Sequence, residues 1–318
     1  MAEYCFGIDI GGTAVKCGLF RMDGTLIEKW EFPTCKECHG ERILPDIACA
    51  VREKMQQYGL GREDVAGIGI GIPGPVNEQG ETACAVNLSW GYKNAPHELS
   101  MLTDLPVKAG NDANVAALGE TWKGAAEGVK NAIMITLGTG VGGGMIVNGK
   151  ILCGVHGAGG EIGHAAMNRE ETETCNCGNR GCLEQIASAT GIVRIARKVL
   201  ESSAEAGSLG TIENLTAKDV LDAFGAGDAV AVRVMEQVGE VLGNALAIFS
   251  CVLDPEIIII GGGVSQAGQP LLDCIQKYYQ KYAFSLCKDI PIVAAALGND
   301  AGVYGGACMV LREICEQQ

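Results

Sequence analysis

The chain has 318 residues, 47% of them hydrophobic and 19% charged, and a formal net charge of −14. That length fits one large or two medium domains with a sizeable core, and the acidity argues against nucleic-acid binding, which needs a basic face. Met1-Ala-Glu-Tyr runs straight into a strand without a signal peptide, no apolar run is long enough for a bilayer, and 15 cysteines point to a reducing cytoplasm.

In chain order, Phe6 to Ile10 reads as a strand, Gly11-Gly12-Thr13 as a tight turn and Val15 to Phe20 as the returning strand. A glycine turn of this kind offers backbone N–H groups to phosphate. Asp9 at the strand end is a candidate for Mg²⁺ and Lys16 for a phosphate; a plain Gly-Gly hairpin is the alternative. Asp23-Gly24 turns into Leu26 to Phe32. Cys35-Lys-Glu-Cys38-His39 matches a haem-attachment spacing, but nothing else in the chain supports haem, and a surface loop is expected. Arg42 to Tyr58 has helical apolar spacing and ends at Gly59 and Gly61.

Val65 to Ile72 is a buried strand running into Pro73-Gly74-Pro75, and Asn87 to Trp90 lies in a loop. Val107 to Asp112 is a short strand followed by a helix over 113–122, so Asp112 sits at a strand-to-helix junction. Capping is the commoner role for Asp there; the alternative is a carboxylate kept ionised by the helix dipole and aimed at a cleft. Ala132 to Leu137, Gly138-Thr139-Gly140 and Gly142 to Val147 repeat the opening strand–turn–strand, which suggests a duplicated plan with two phosphate-binding hairpins. Asn148-Gly149 turns the next hairpin. Residues 187–203 and 216–249 read as mainly helical, 202–214 as a loop, Asp254 to Ile260 as a buried strand ending at Gly261-Gly262-Gly263, 290–296 as a last strand and 301–316 as a C-terminal helix. The triple-glycine turn lets a ring or a phosphate approach the backbone.

The stretch from Leu137 to Glu184 is the most informative. His164, Cys175, Cys177 and Cys182 are the ligand types that Zn²⁺ prefers, and four of them close a tetrahedral, structural site. The glycines at 178 and 181 permit the turns that chelation needs. The metal would then fix the loop that carries Glu161 and Glu184.

Taken together, Ile8 to Thr13, Gly71 to Gly74, Asn111 to Asn114, Leu137 to Gly144, Gly160 to His164, the Cys175 to Glu184 stretch and Asp254 through Gly263 resemble the sugar kinases of the ROK family, most closely its bacterial glucokinases. The resemblance covers nearly the whole chain. It implies an α/β chain with the actin-like ATPase (ribonuclease H-like) fold, two α/β domains with ATP in the cleft between them. The smaller domain would span residues 1–111 with 298–318 and the larger 112–297 with the zinc loop. It implies that Asp112 is the catalytic base, that Asn111, Glu161, His164 and Glu184 hold the sugar hydroxyls, and that Gly74 and Asn87 line the pocket. His164, Cys175, Cys177 and Cys182 match the family's zinc ligands, His164 using its second ring nitrogen for the sugar. ATP and Mg²⁺ would be met by Asp9, Gly11, Gly12, Thr13, Lys16, Gly138, Thr139, Gly140, Gly261, Gly262 and Gly263.

The expected reaction is in-line transfer of the ATP γ-phosphate to a hexose 6-hydroxyl, glucose being favoured over fructose, mannose, allose or N-acetylated hexosamines. The family's homodimers and homotetramers make a homo-oligomer the expected assembly. A sugar-responsive repressor is disfavoured by the charge and by the five residues that precede Phe6; a sensor without sugar chemistry is disfavoured by the Glu161, His164 and Glu184 set.

Overall fold

A computed structural model describes residues 2–202 and 207–317, with side chains of the last helix through Arg312. The chain divides into two compact units: residues 1–130, 144–160 and 296–318, and residues 131–143 with 161–295.

The first unit opens with β1 (Tyr4–Ile10), β2 (Ala14–Arg21) and β3 (Leu26–Pro33), an antiparallel meander, and β4 (Val65–Ile72) and β5 (Val107–Asn111) then extend it in parallel from β1. The order is β3-β2-β1-β4-β5. The alternation in β4 explains both faces of this sheet. Ile68, Ile70 and Ile72 join the core with Ile43, Leu44, Ile47 and Val51 of the helix Ile43–Tyr58. On the other face Gly69 meets the helix Ala301–Gln317, where a Cβ would stand 1.9 Å from the Gly306 carbonyl oxygen, so only glycine lets that helix lie flat on the strand.

The second sheet is built from β6 (Ala132–Leu137), β7 (Val141–Val147), β8 (Lys150–Ile151), β9 (Ile257–Gly261) and β10 (Ile292–Ala294). Its order, β10-β9-β6-β7-β8, repeats the first: a meander of three strands and then two parallel strands added beside the first of them. The duplication read from the two glycine turns thus extends to the winding of both sheets.

The expected domain limits divide the chain differently from these units. The helix Asp112–Lys123 stays in the first unit because it packs on the C-terminal helix, where a Cβ on Gly305 would stand 1.7 Å from the Val115 carbonyl oxygen. Helices in the second unit run Ala189–Ser202, Ala217–Gly225, Ala229–Leu253 and Gln269–Tyr282. The loop expected over 202–214 lies partly outside the described residues. Unlike any run expected from the sequence, Ala229–Leu253 is long and apolar enough to cross a membrane by length and composition. Its buried residues Val230, Val234, Val238, Leu242 and Leu246 form a stripe at helical spacing. Glu236 and Glu240 on the same helix pair with Lys277 (2.7 Å) and Lys281 (2.8 Å), as in a core helix with one wet face.

Candidate functional site

In the first unit the predicted residues gather at the ends of β1, β4 and β5. Register pairs Asp9 with Gly71, Gly71 with Gly110 and Ile72 with Asn111. A Cβ on Gly71 would lie 3.5 Å from Asp112 Cα and 3.6 Å from Asp9 Oδ1, so the bare strand at Gly71 separates two carboxylate residues. Burial raises the Asp9 carboxyl above its ordinary value, and Lys16, its cross-strand partner, pulls the other way. A desolvated carboxyl of this kind fits a cation.

Asp112 is not the helix cap. Asn111 is, its Oδ1 accepting the Asn114 N–H at 3.0 Å, and Asp112 is the first helical residue, its Oδ1 accepting the Ala113 N–H at 2.8 Å. Asn111 also donates from Nδ2 to the Gly74 carbonyl (3.0 Å), which ties the Pro73-Gly74 turn to the helix start. Asn111, expected on a sugar hydroxyl, is therefore 9% exposed and engaged on both sides.

The Gly11-Gly12-Thr13 turn is closed by Gly11 N–H to the Ala14 carbonyl (3.0 Å), and Thr34 bonds the carbonyls of Gly11 (2.7 Å) and Thr13 (2.9 Å). A Cβ on Gly12 would stand 3.4 Å from the Asn87 carbonyl oxygen, so the turn and the exposed Asn87 are neighbours. Lys16 Nζ donates to the Asn299 carbonyl at 3.3 Å.

In the second unit the two other glycine turns come together. Thr136 pairs with Gly261, and Gly262, at φ +82°, would carry a Cβ 2.4 Å from the Leu137 carbonyl oxygen. The 138–140 turn is tied to the helix Ala189–Ser202: Ala189 N–H donates to the Gly138 carbonyl (2.8 Å) and Thr190 Oγ1 to that of Thr139 (3.1 Å).

The four metal-type residues converge as well. The donor atoms of His164, Cys175, Cys177 and Cys182 lie within 4.8 Å of one another. Cys175 Sγ to His164 Nδ1 is 3.7 Å and Cys177 Sγ to Cys182 Sγ 3.6 Å. Metal–sulfur bonds of about 2.3 Å and metal–nitrogen bonds of about 2.1 Å in a tetrahedron give edges of about 3.6–3.8 Å, which these two contacts match. Burial, with Cys177 and Cys175 beside it, pushes the Cys182 thiol up to about 12. The Asn179 N–H holds the Cys177 thiol below its ordinary value, and a cation at the centre would favour the thiolate of Cys182 as well. The knuckle is closed by Cys175 N–H to Asn179 O and Gly178 N–H to Cys175 O, both 2.8 Å.

The groups expected on the sugar flank this cluster. His164 turns Nδ1 inward, while Nε2 lies 3.9 Å from Glu161 Oε2. Glu184 Oε1 is 3.7 Å from Cys175 Sγ, and Oε2 accepts the Val141 N–H at 3.1 Å. Burial raises the Glu161 carboxyl, His164 opposes this and Glu184 adds to it.

Two features escaped the sequence. A cavity of about 610 Å³ opens beside Thr139 and is lined by Thr190, Val193, Arg194, Arg197 and Lys198. It is invisible in the chain because its walls come from distant segments, although the helical spacing of 190, 194, 197 and 198 puts those residues on one face. The second is Glu171, buried against Arg194 (2.6 Å), which holds its carboxyl down at about 2.

A family model described as ROK family matches residues 5–313. A glucokinase of Halalkalibacterium halodurans is 44% identical over 96% of this chain and 94% of its own. A glucokinase of Thermotoga maritima is 36% identical over 97% of each. Among solved structures, a ROK family glucokinase from Streptomyces griseus in complex with glucose and AMPPNP has a TM-score of 0.76 at 32% identity, covering 96% of this chain and 98% of that one. From strand order to metal knuckle, this chain belongs to the ROK family.

Proposed function

We propose that the protein is an ATP-dependent glucokinase that transfers the γ-phosphate to the 6-hydroxyl of glucose. The observation that carries the reading is Asp112 itself. Its neighbour Asn111 caps the helix, so an acidic residue stands in the first helical turn, at the ends of three parallel strands and beside Asp9, without being needed as a cap. The glucokinase relatives at 44% and 36% identity support the sugar, and the Streptomyces griseus structure with glucose and AMPPNP supports the donor.

Asp112 accepts the proton of the 6-hydroxyl as that oxygen attacks the γ-phosphorus in line, and ADP departs. Glu161, Glu184 and His164 Nε2 take the other hydroxyls, and Gly74 and Asn87 contribute to the sugar pocket; Asn111 acts by holding Gly74 and the helix start. The turns at Gly11-Gly12-Thr13, Gly138-Thr139-Gly140 and Gly261-Gly262-Gly263, together with Lys16, offer donors to the phosphates, and the cavity beside Thr139 suits the nucleoside. Asp9 would hold Mg²⁺, which supplies charge neutralisation on the phosphates when bound. His164, Cys175, Cys177 and Cys182 would hold a structural Zn²⁺ that stiffens the loop under Glu161 and Glu184.

A reducing cytoplasm suits the fourteen free thiols described. Exposed Ile248, Val252, Phe284 and Leu286 support a homodimer or homotetramer, which sedimentation would reveal. The test of the activity is ADP release with MgATP and a panel of hexoses in metal-replete protein. Glucose-dependent turnover is expected. Turnover with another hexose alone changes the substrate, and none with any sugar overturns the reading.

A further inference from the structure

Arg194 projects from the helix Ala189–Ser202 and joins parts of the second unit that the mechanism leaves unconnected. Its Nη2 donates to Glu171 Oε2 at 2.6 Å and to the Gln185 carbonyl at 2.9 Å. Glu171 is itself engaged on its other oxygen, which accepts the N–H groups of Thr172 (3.1 Å) and Glu173 (3.0 Å). Gln185 closes the circuit: its Oε1 accepts the Cys182 N–H at 3.1 Å, and its Nε2 donates to the Glu173 carbonyl at 3.0 Å. One guanidinium thus holds the bend before Cys175 and the carbonyl of Gln185, the residue after Glu184.

The same side chain lines the cavity beside Thr139. Its Nη1 lies 3.3 Å from Glu173 Oε2, so the guanidinium meets the 171–173 bend through a second carboxylate. One side chain thus belongs both to the wall of the cavity and to the clasp on the metal loop.

We infer that Arg194 is a positioning residue through which occupancy of the cavity is transmitted to the metal loop and to Glu184. A nucleoside seated in the cavity restricts the Arg194 side chain. The restriction passes through Glu171 to the 171–173 bend and through the Gln185 carbonyl to the residue that precedes it. Nucleotide and sugar then strengthen each other's binding, reciprocally, by a factor typically between about 5 and 150 for coupled sites. This rests on the proposed function in assigning the cavity to the nucleotide.

The test is hydrogen exchange by mass spectrometry on the full, metal-replete chain with and without AMPPNP, reading peptides that cover 168–188. Calorimetric titration of glucose under both conditions accompanies it. In the wild type, AMPPNP slows exchange across 168–188 and tightens glucose binding by a factor within that range. Arg194→Met, brought to saturation with AMPPNP, loses the slowing, and its two glucose affinities agree within about twofold. If Arg194→Met keeps both effects, or if the wild type binds AMPPNP with no change in 168–188, the inference is overturned while the kinase reading stands. Failure of the wild type to bind AMPPNP at all removes both. Should the methionine variant lose its fold, Arg194→Lys decides: it keeps the charge but replaces the rigid planar fork with a point charge on a flexible stem, so the slowing must shrink, and an unchanged one overturns the inference.

Discussion

Asp112→Asn separates the two roles that a strand-to-helix carboxylate can play. The substitution keeps shape and one acceptor oxygen, which can still take the Ala113 N–H now held at 2.8 Å. The cap is untouched, because it belongs to Asn111. What the helix loses is one negative charge in its first turn, worth about 0.3–1 kcal/mol, and the midpoint of thermal unfolding should fall by only about 0.5–1.5 °C. Turnover should fall far more. Loss of a positioned base costs roughly 10²–10⁴-fold, or about 3–5 kcal/mol on the barrier. Asn111→Ala should behave in the opposite sense. It removes the cap on the Asn114 N–H, about 0.5–2 kcal/mol, and strips the Gly74 carbonyl of its donor, about 1–3 kcal/mol, while the carboxylate remains. Calorimetric unfolding and ADP-coupled turnover at saturating glucose and ATP read the two effects independently. An Asp112→Asn enzyme within threefold of wild-type kcat, or one whose activity falls only in step with its stability, would refute the assignment of the base.

Removing the metal with a strong chelator should raise the KM for glucose before that for ATP, because Glu184 touches Cys175; an equal rise in both counts against the loop-fixing role. Glu120 is fully buried and accepts the N–H groups of Ala125 (2.8 Å), Ala296 (3.0 Å) and Leu297 (2.8 Å). Glu120→Gln should therefore set an amide against one of these donors at a cost of about 1–3 kcal/mol, seen as a lower unfolding midpoint. Asp228→Ala, which removes the cap accepting Val230 (2.9 Å) and Ala231 (3.1 Å), should cost about 1–2 kcal/mol in the same measurement. Arg194 holds Glu171 at about 2 against an ordinary 4.5, so that interaction stabilises fully above pH 4.5 and is lost as the pH falls through about 2. The stability gap between wild type and Arg194→Met should narrow over that window, and a gap that stays constant with pH would refute the pairing.

The sequence was legible wherever chemistry is local. The Cys-x-Cys spacing, the Asn148-Gly149 turn (φ +51° and +78°) and the alternation of isoleucine and glycine in β4 each depend on a few consecutive residues, and each carries into the structure. Adjacent residues with similar chemistry were harder. Asn111 and Asp112 are both good caps, and only the backbone decides which one caps and which one begins the helix. Glu120, Glu171 and Arg194 were not singled out because a charged residue on a helix or a loop usually meets water. Their burial depends on partners far along the chain, at 296 for Glu120 and at 194 for Glu171.

The two units reach positional accuracy by different means, and this gives a reason why, among the described residues, the cluster of metal-type ligands lies in one copy of a duplicated winding. Asp9 and Gly71 lie in strands paired on both sides, where ladder hydrogen bonds already fix the backbone, and Asp112 follows directly on β5 at the start of a regular helix. Glu161, His164 and Glu184 lie on a stretch held by short turns and isolated bridges such as Ala166 to Cys182 and Thr174 to Arg180. A loop of that kind is soft by default, and the proposed hydroxyl selection would need its groups held within about 0.5 Å. Four metal ligands between 164 and 182, with Glu184 packed against one of them, would give this loop the stiffness that strand pairing gives the first unit. Loosening the knuckle should then blur the choice among sugars before it slows transfer of the phosphate.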